Sequence, residues 1–253
     1  MSTRARVIAV LGKGGAGKTV VSALISRALL DSDVKPLLLV DADPTGGLAF
    51  ALGAGLNQTM GEVREKLIGQ AAAPDADPDT IAQSVDWLAL EALQEHGSYS
   101  LLNMGRTESK GCFCPLNSLL RAAIEKLAAG FRFVILDAEA GIEQVNRQVV
   151  RQVDVPVIVT DGSLRGLRAA HQVSELLQKY TQSNPGGLIL NRAEKLAGEI
   201  PAGLELWGEV PADDQVASYD HQGRSLLELD SDNPALLAVG KILKERVLSN
   251  HGQ

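Results

Sequence analysis

The eight residues from Gly12 to Thr19 read GKGGAGKT, and their spacing is that of a phosphate-binding loop. In such a loop the glycines let backbone N–H groups turn inward around phosphate oxygens, a lysine neutralises the phosphate charge, and a hydroxyl reaches Mg²⁺. Here those two side chains are Lys18 and Thr19. The sequence therefore predicts a site for nucleotide phosphates and Mg²⁺ whose residues are Gly12, Lys13, Gly14, Gly15, Ala16, Gly17, Lys18 and Thr19.

Lys13 is a second lysine at the start of this loop, in addition to Lys18. One interpretation is a solvated surface lysine. The other is that Lys13 crosses a dimer interface to the nucleotide of a partner subunit, as a finger supplied in trans, a role in which an arginine raises the rate by roughly 10³ to 10⁵. On the second interpretation Lys13 is catalytic together with Lys18, and hydrolysis depends on dimerisation.

Three aspartates follow apolar strand candidates and could serve Mg²⁺ or an attacking water. Residues 37–40 run into Asp41 and Asp43, and residues 133–136 run into Asp137. Phosphoryl transfer mainly needs positioning and charge neutralisation, so a carboxylate that holds water in line with the γ-phosphate suffices. Asp43 is predicted to orient this water, Asp41 to support Mg²⁺ or the loop, and Asp137 to hold Mg²⁺ from outside its innermost ligands. A turn-forming Asp-Pro is the alternative for Asp43.

Residues farther along the chain are candidates for sensing the γ-phosphate and for binding the base. Gly141, shortly after Asp137, permits a loop to approach the phosphate, which predicts a switch segment there. Asn191 ends a strand candidate and is expected to hydrogen-bond the amide edge of adenine, with Pro211 and Asp213 forming a wall beside the base. A simple turn residue at a strand end is the alternative for Asn191.

Cys112 and Cys114 are the two cysteines of the chain, and they are separated by one residue. Alternate residues of an extended segment point to the same side, so both sulfurs can face one point. A helix predicted to begin at Pro115 would lower the thiol pKa through its dipole. Since a closed tetrahedral site needs four ligands, a symmetric dimer would supply a Cys₄ site suited to Zn²⁺, Ni²⁺ or an iron–sulfur cluster. Two buried structural cysteines are the alternative.

The elements that must position these residues alternate between apolar strands and helical patterns. A helix is expected at Thr19–Leu30, directly after the loop, where the N-terminus favours anions. Near-continuous apolar strands between helices predict an α/β fold, a doubly wound and mostly parallel sheet covered by helices on both faces, with ligands at the carboxyl ends of the strands. The strand candidates are Arg4–Leu11, Pro36–Val40, Trp87–Leu90, Phe131–Leu136, Pro156–Thr160, Gly187–Leu190 and Leu204–Trp207.

Length and charge restrict the classes of protein further. A chain of 253 residues with 45% hydrophobic residues can bury a sizeable core, and a single domain over residues 1–253 is expected. The net charge of −7 and the scattered basic residues argue against a surface devoted to nucleic acid or anionic lipid. The lack of an apolar signal segment predicts a cytoplasmic protein without stable membrane association. The segment Pro234–Leu248 is expected to pack on the sheet rather than target a membrane.

The phosphate-binding loop resembles the deviant P-loop of the class that contains MinD, ParA and the nitrogenase iron protein. Further motifs resemble one branch of this class, the CooC family of nickel-insertion ATPases that serve carbon monoxide dehydrogenase. They are DADP at 41–44, MGRTESKGCFCPLNSLL at 104–120 and LDAEAGIEQVNRQ at 136–148. The Cys-x-Cys before a helix is the discriminating motif. Glu139 departs from the pattern, since MinD and ParA relatives usually have proline there and CooC relatives glycine.

The resemblance implies an ATP-dependent homodimer that hydrolyses ATP with Mg²⁺. It further implies that Cys112 and Cys114 of both subunits carry Ni²⁺ or Zn²⁺ and release the metal to a client, carbon monoxide dehydrogenase, on hydrolysis. Two alternatives remain from the residues. One is an electron carrier with a dimer-bridged iron–sulfur cluster, and the other is a positioning ATPase like MinD and ParA.

Overall fold

A computed structural model describes residues 4–55, 57–72, 77–106, 114–138, 153–181 and 186–249. Side chains are described in these ranges except at 78, 79, 82, 83, 114–117 and 179–181. Cys112, Glu139 and Gly141 therefore lie outside the described residues. For Cys114 the backbone is described and the side chain is not.

The described strands form one sheet of eight, in the order β3-β4-β2-β5-β1-β6-β7-β8. Every neighbouring pair is parallel except β3 with β4, which is antiparallel. This arrangement confirms the predicted mostly parallel sheet. The strands are β1 Arg6–Gly12, β2 Leu37–Asp41, β3 Leu93–Glu95, β4 Tyr99–Asn103, β5 Phe133–Asp137, β6 Val155–Thr160, β7 Gly187–Asn191 and β8 Glu205–Val210.

Helices cover both faces of the sheet, as the near-continuous apolar strands require. Alternate residues of β1 point to opposite faces, so Ile8 and Val10 join one hydrophobic cluster and Val7 and Ala9 join the other. Helices α1, α2, α7 and α8 contribute to the first cluster, and α3 to α6 to the second. The helices are α1 Lys18–Asp31, α2 Gly47–Ala51, α3 Met60–Ala71, α4 Pro78–Glu91, α5 Cys114–Ala128, α6 Leu164–Thr181, α7 Asp214–Gln222 and α8 Pro234–Leu243.

Six of the predicted strands are present, with ends shifted by a few residues, but the predicted strand Trp87–Leu90 is wrong. These residues form the last turn of α4, in which Leu88 and Ala89 are buried while Trp87 is 63% exposed. A run of four apolar residues fits a strand or one turn of a helix equally well, because the two periods differ only over a longer segment. Strands β3 and β4 were not predicted from the sequence, because the polar residues Gln94 and Ser100 interrupt their apolar pattern.

The C-terminal segment packs on the sheet, as predicted. Helix α8 begins after Asn233, whose side chain accepts a hydrogen bond from the N–H of Leu236, and it lies against α1. A π-helical turn continues it over Lys244–Leu248. Among the described helices, none has both the length and the apolar character that a membrane span requires.

Candidate nucleotide site

The phosphate-binding loop joins β1 to α1 and passes close to the end of β7. Gly17 has φ 89°, and a Cβ atom added there would lie 2.2 Å from the Nδ2 atom of Asn191. Only glycine combines this left-handed conformation with such a close approach. Helix α1 begins at Lys18, directly after Gly17, so the free N–H groups of its first turn lie next to the loop.

Three carbonyl groups of the loop are held by side chains. The ammonium of Lys18 donates to the carbonyl of Lys13 at 3.4 Å, Nδ2 of Asn191 donates to that of Ala16 at 2.8 Å, and Nη2 of Arg192 donates to that of Gly15 at 2.7 Å. Engaging the carbonyls in this way favours a loop that presents N–H groups to an anion. The predicted loop residues are thus brought together with Asn191, and Arg192 joins them.

Asp137 lies at the carboxyl end of β5, directly beside the start of α1. The hydroxyl of Ser22 donates to its Oδ1 at 3.0 Å, and the hydroxyl of Thr19 also donates to this carboxylate. Burial raises the pKa of Asp137, while these two hydrogen bonds and the charge of Lys18 act in the opposite direction. The structure therefore brings together Lys18, Thr19 and Asp137, as the sequence analysis expected.

Asp41 is fully buried at the end of β2, next to Asp137 in the register of the sheet. Its Oδ2 accepts hydrogen bonds from the N–H groups of Leu48 at 2.8 Å and Ala49 at 3.0 Å, and its Oδ1 accepts from that of Asp43 at 3.0 Å. Burial raises its pKa to about 6, with a smaller contribution from the charge of Asp137. Of the two roles expected for Asp41, these contacts favour support of the loop that carries Asp43.

Asp43 and Thr19 border the same small space in front of α2. Oδ1 of Asp43 accepts from the N–H of Thr45 at 2.7 Å and from its hydroxyl at 2.6 Å. A methyl group added at Gly47 would lie 3.5 Å from Oδ2 of Asp43 and 3.8 Å from Oγ1 of Thr19, so glycine keeps this space open. The second carboxylate oxygen of Asp43 is thereby directed to the side of the site where Thr19 lies.

The oxygen donors at this place suit Mg²⁺. Thr19, Asp43 and Asp137 supply hydroxyl and carboxylate oxygens, the ligands that hard cations prefer. Within the described part of the chain, no three His, Cys, Asp or Glu side chains converge tightly enough to enclose a metal. An open site of this kind fits Mg²⁺, which usually keeps one or two protein ligands and completes its shell with phosphate and water.

Lys13 points toward the turn between β6 and α6 of its own chain. Its Nζ lies 3.2 Å from Oδ2 of Asp161, and the two side chains are 28% and 34% exposed. The pKa of Asp161 is lowered mainly by the hydrogen bond from the Ser163 hydroxyl, and Lys13 lowers it further. In a single chain, Lys13 therefore forms an ion pair beside the loop instead of contacting its phosphate-binding side.

A cavity of about 230 Å³ opens between the ends of β7 and β8 and helix α7. Asn191, Pro211 and Asp213, the residues predicted to lie around the base, all line it. Oδ1 of Asp213 also accepts from the N–H of Val216 at 2.9 Å and so caps α7. Arg192, which was not predicted from the sequence, lines the cavity as well. No motif marked it, because its position beside the loop depends on the order of the strands.

Of the two cysteines, only the backbone of Cys114 lies within the described residues. Helix α5 begins at Cys114, close to the start expected from the sequence. Cys112 and the predicted switch around Gly141 lie outside the described residues. The metal site therefore remains a prediction. Residues 104–106, which precede the cysteines, leave the sheet at the end of β4. There the N–H of Met104 donates to the carbonyl of Asp41 at 2.8 Å.

Comparisons with known proteins agree with this geometry. A family model described as an AAA domain matches residues 5–186. An uncharacterized ATP-binding protein of Methanocaldococcus jannaschii is 35% identical over 94% of this chain and 97% of its own length. The carbon monoxide dehydrogenase accessory protein CooC of Rhodospirillum rubrum is 29% identical over 88% of this chain and 89% of its own. Both relatives thus extend over nearly the whole chain.

Solved structures share the fold at lower identity. The septum site-determining protein MinD of Pyrococcus horikoshii, complexed with Mg-ADP, superposes with a TM-score of 0.67 at 21% identity, over 97% of each chain. At this identity the likeness shows the fold alone. It agrees with the mostly parallel sheet described above.

Proposed function

The chain belongs to the AAA domain family and is a P-loop ATPase of the MinD/ParA class, and from this premise we propose that it is an ATP-dependent metallochaperone. In this proposal, Cys112 and Cys114 of two subunits bind Ni²⁺ or Zn²⁺, and ATP hydrolysis releases the metal for insertion into carbon monoxide dehydrogenase. The observation that carries the proposal is that β4, after which the chain continues toward the cysteines, ends beside the nucleotide site, where the N–H of Met104 donates to the carbonyl of Asp41.

The similarity to CooC supports the choice of client. That relative is a carbon monoxide dehydrogenase accessory protein, and the match at 29% identity extends over 88% of this chain. It therefore includes the region of the cysteine motif and not the phosphate-binding loop alone.

The nucleotide site supports a division of roles in hydrolysis. Lys18 and the loop N–H groups from Gly12 to Gly17 hold the phosphates, and Asn191 and Pro211 hold the base. Thr19, Asp43 and Asp137 would hold Mg²⁺, which neutralises charge on the phosphate oxygens when bound. Asp43 orients the attacking water, since its Oδ1 is fixed by Thr45 and its Oδ2 faces the side of Thr19.

Lys13 acts in trans in this proposal. Its pair with Asp161 is about one-third exposed, and pairs of this kind contribute only about 0–1 kcal/mol. Lys13 can therefore leave Asp161 at little cost when a partner subunit presents a triphosphate. The ammonium group of Lys13, which pairs with Asp161 in the single chain, would then lie against the phosphates of the partner's nucleotide.

Metal binding follows from the same dimer. Two thiolates from one chain leave a tetrahedral or square-planar site half complete, and a two-fold axis through the motif supplies the other two. Closing the dimer on ATP would bring the cysteine pairs together, and opening it after hydrolysis would separate them. Nucleotide state and metal affinity are then linked, so each changes the other by the same factor.

The test is the metal content and mass of the purified protein with Ni²⁺ or Zn²⁺, with and without a non-hydrolysable ATP analogue. We expect a dimer with one metal ion per two chains when the analogue is present. A Cys112→Ala/Cys114→Ala variant has no thiol left and is expected to dimerise with the analogue but bind no metal. If this variant kept the metal stoichiometry of the natural protein, the metal site assignment would be wrong.

The same preparation distinguishes the alternatives. Four thiolates on an axis also suit an iron–sulfur cluster, and protein purified without oxygen would then contain iron and sulfide and absorb visible light. A positioning ATPase like MinD and ParA would instead sediment with liposomes or DNA in an ATP-dependent way. Either result would replace the metallochaperone proposal.

A further inference from the structure

Arg192 directly follows β7 and has an unusual backbone conformation. Its φ is 58°, in the left-handed region that costs a non-glycine residue energy. The N–H of Arg192 donates to the carbonyl of Val210 at 2.9 Å, which holds the residue between β7 and β8. Strained residues that the surrounding structure maintains are often found where a side chain must be aimed at a ligand.

The side chain of Arg192 reaches across to the phosphate-binding loop. Its Nη2 lies 2.7 Å from the carbonyl oxygen of Gly15, and its Cζ lies 3.7 Å from the position that a Cβ atom at Gly17 would occupy. The guanidinium group therefore covers the glycines at the end of the loop. Asn191, the preceding residue, holds the carbonyl of Ala16 in the same way.

Arg192 also lines the cavity of about 230 Å³ beside the loop. This volume is below the roughly 300–1,000 Å³ of pockets that enclose a whole drug-sized ligand, and it suits a part of a ligand such as a base. The other ionisable side chains lining the cavity are Asp213, Asp220 and His221. Arg192 is thus the lining residue that combines a permanent positive charge with a planar group.

We propose that Arg192 is a nucleotide-positioning residue that holds the phosphate-binding loop in its binding conformation and covers one face of the bound base. One nitrogen donates to Gly15 while the guanidinium plane lies against the ring, an arrangement that a lysine cannot reproduce. The base and the phosphate loop are then coupled through one side chain. This inference depends on the ATPase activity and is independent of the metal site.

The test is an Arg192→Asn variant of the full chain, because asparagine tolerates the left-handed conformation. We expect an unchanged or higher Tm without nucleotide, and ATP and ADP affinities weaker by about 10- to 100-fold, the range for a lost hydrogen bond to a charged group. Since ATP and ADP share the base, the affinities for both should weaken together, and the KM for ATP should rise by a larger factor than kcat falls.

Two further measurements separate positioning from a structural role. Tripolyphosphate has no base, so Arg192→Asn should weaken its binding less than that of ATP, and Arg192→Lys should restore only part of the ATP affinity. Arg132→Asn is the matched control, because it removes the same charge from an exposed residue just before β5. Arg132 lies at the amino-terminal ends of the strands, away from the nucleotide site, so this variant should leave ATP affinity unchanged. Equal losses for ATP and tripolyphosphate, an unaltered ATP affinity, or a lowered Tm in Arg192→Asn would each overturn the proposal.

Discussion

Asp41 and Asp137 end neighbouring strands, and both carboxyl groups are buried beside each other. Burial raises both pKa values above the ordinary 3.8, that of Asp41 to about 6. A carboxyl group whose pKa is raised on folding contributes stability below the unfolded pKa and loses it as the pH rises through the folded pKa. Near neutral pH these ionised groups therefore oppose folding of the empty protein, and a bound cation would relieve this.

A consequence is that binding of Mg²⁺-nucleotide should release protons. Mg²⁺ favours the ionised forms of the Asp41 and Asp137 carboxyl groups. Near about pH 6 these groups are partly protonated and must lose protons when Mg²⁺-nucleotide binds, whereas near about pH 8 they are already ionised and release few. We expect affinity to rise between these pH values. Calorimetry in two buffers with different ionisation enthalpies measures the released protons directly. Equal proton release at both pH values would contradict the assignment of the raised pKa values to this site.

Strand β7 shapes the phosphate-binding loop although the loop belongs to β1. In the sheet, β6 lies between these two strands, and the loop reaches over the end of β6 to meet Asn191 and Arg192. The side chains of Asn191 and Arg192 donate hydrogen bonds to the carbonyl groups of Ala16 and Gly15, which keeps these carbonyls away from the side of the loop that would bind an anion. Two elements separated by a strand therefore form one site.

Helix α3 holds the segment that leads from β4 to the cysteines. The N–H of Gly61 donates to the carbonyl of Met104 at 2.9 Å, and a Cβ atom at Gly61 would lie 2.3 Å from the carbonyl oxygen of Arg106. Residues 104–106 also contact Asp41 through the N–H of Met104. Residues 104–106, which precede the cysteines, are thereby held between the end of β2 and the start of helix α3.

A Gly61→Ala variant tests this connection. The added methyl group must displace Arg106 or the helix, so we expect a loss of about 1–3 kcal/mol in the free energy of unfolding. Metal affinity should fall while ATP affinity changes little, because the displaced segment leads to the cysteines. Urea unfolding and metal titration measure the two effects.

Gly69→Ala in the same helix is the matched control. Apart from the adjoining backbone of α3 itself, no described atom lies within 4 Å of a Cβ added there. This change should therefore stabilise the protein by about 0.5–1 kcal/mol and leave metal binding intact. If Gly61→Ala bound metal as tightly as Gly69→Ala, helix α3 would have no role in positioning the cysteine segment.

For the molecule as a whole, the chemistry lies along one edge of the sheet. The phosphate loop follows β1, and Asp41, Asp137 and Asn191 are the last residues of β2, β5 and β7. Residues 104–106, which precede the cysteines, follow β4 at the same edge. A dimer that meets at this edge, as in the proposed function, would place both nucleotides at one interface. It would also bring Lys13 within reach of the partner's phosphates.

Mixing two inactive variants tests whether Lys13 acts in trans. Lys13→Ala and Asp43→Asn should each hydrolyse ATP slowly alone. In a mixed dimer, the Lys13→Ala chain keeps Asp43 and receives Lys13 from its partner, so one site is complete. With about half of the dimers mixed, we expect about a quarter of the natural rate.

The ATPase rate of an equimolar mixture measures this. Mixing each variant with a Lys18→Ala chain is the control: with Asp43→Asn it leaves no complete site, and with Lys13→Ala it restores one. A mixture of Lys13→Ala and Asp43→Asn no faster than the separate proteins would show that Lys13 acts within its own chain.

Several features could be predicted from the sequence because neighbouring residues encode them. The phosphate-binding loop, the helix after it and six of the strands follow from local spacing and apolar runs. The same reasoning failed for Trp87–Leu90, where four apolar residues fit both periods, and for β4, where polar residues break the pattern. Asp41, Asp137 and Asn191 were singled out because each follows or ends an apolar strand candidate, and Asp43 because it comes two residues after Asp41.

The contacts that shape the site depend on strand order, which no local pattern contains. Asn191 and Ala16 are 175 positions apart in the chain, and Arg192 and Gly15 are 177 apart, yet both pairs form hydrogen bonds. The three N–H groups bound by Asp41 and the pairing of Lys13 with Asp161 likewise emerge only when the chain is folded. The sequence contains the reactive groups, and the packing of distant strands specifies which atoms they meet.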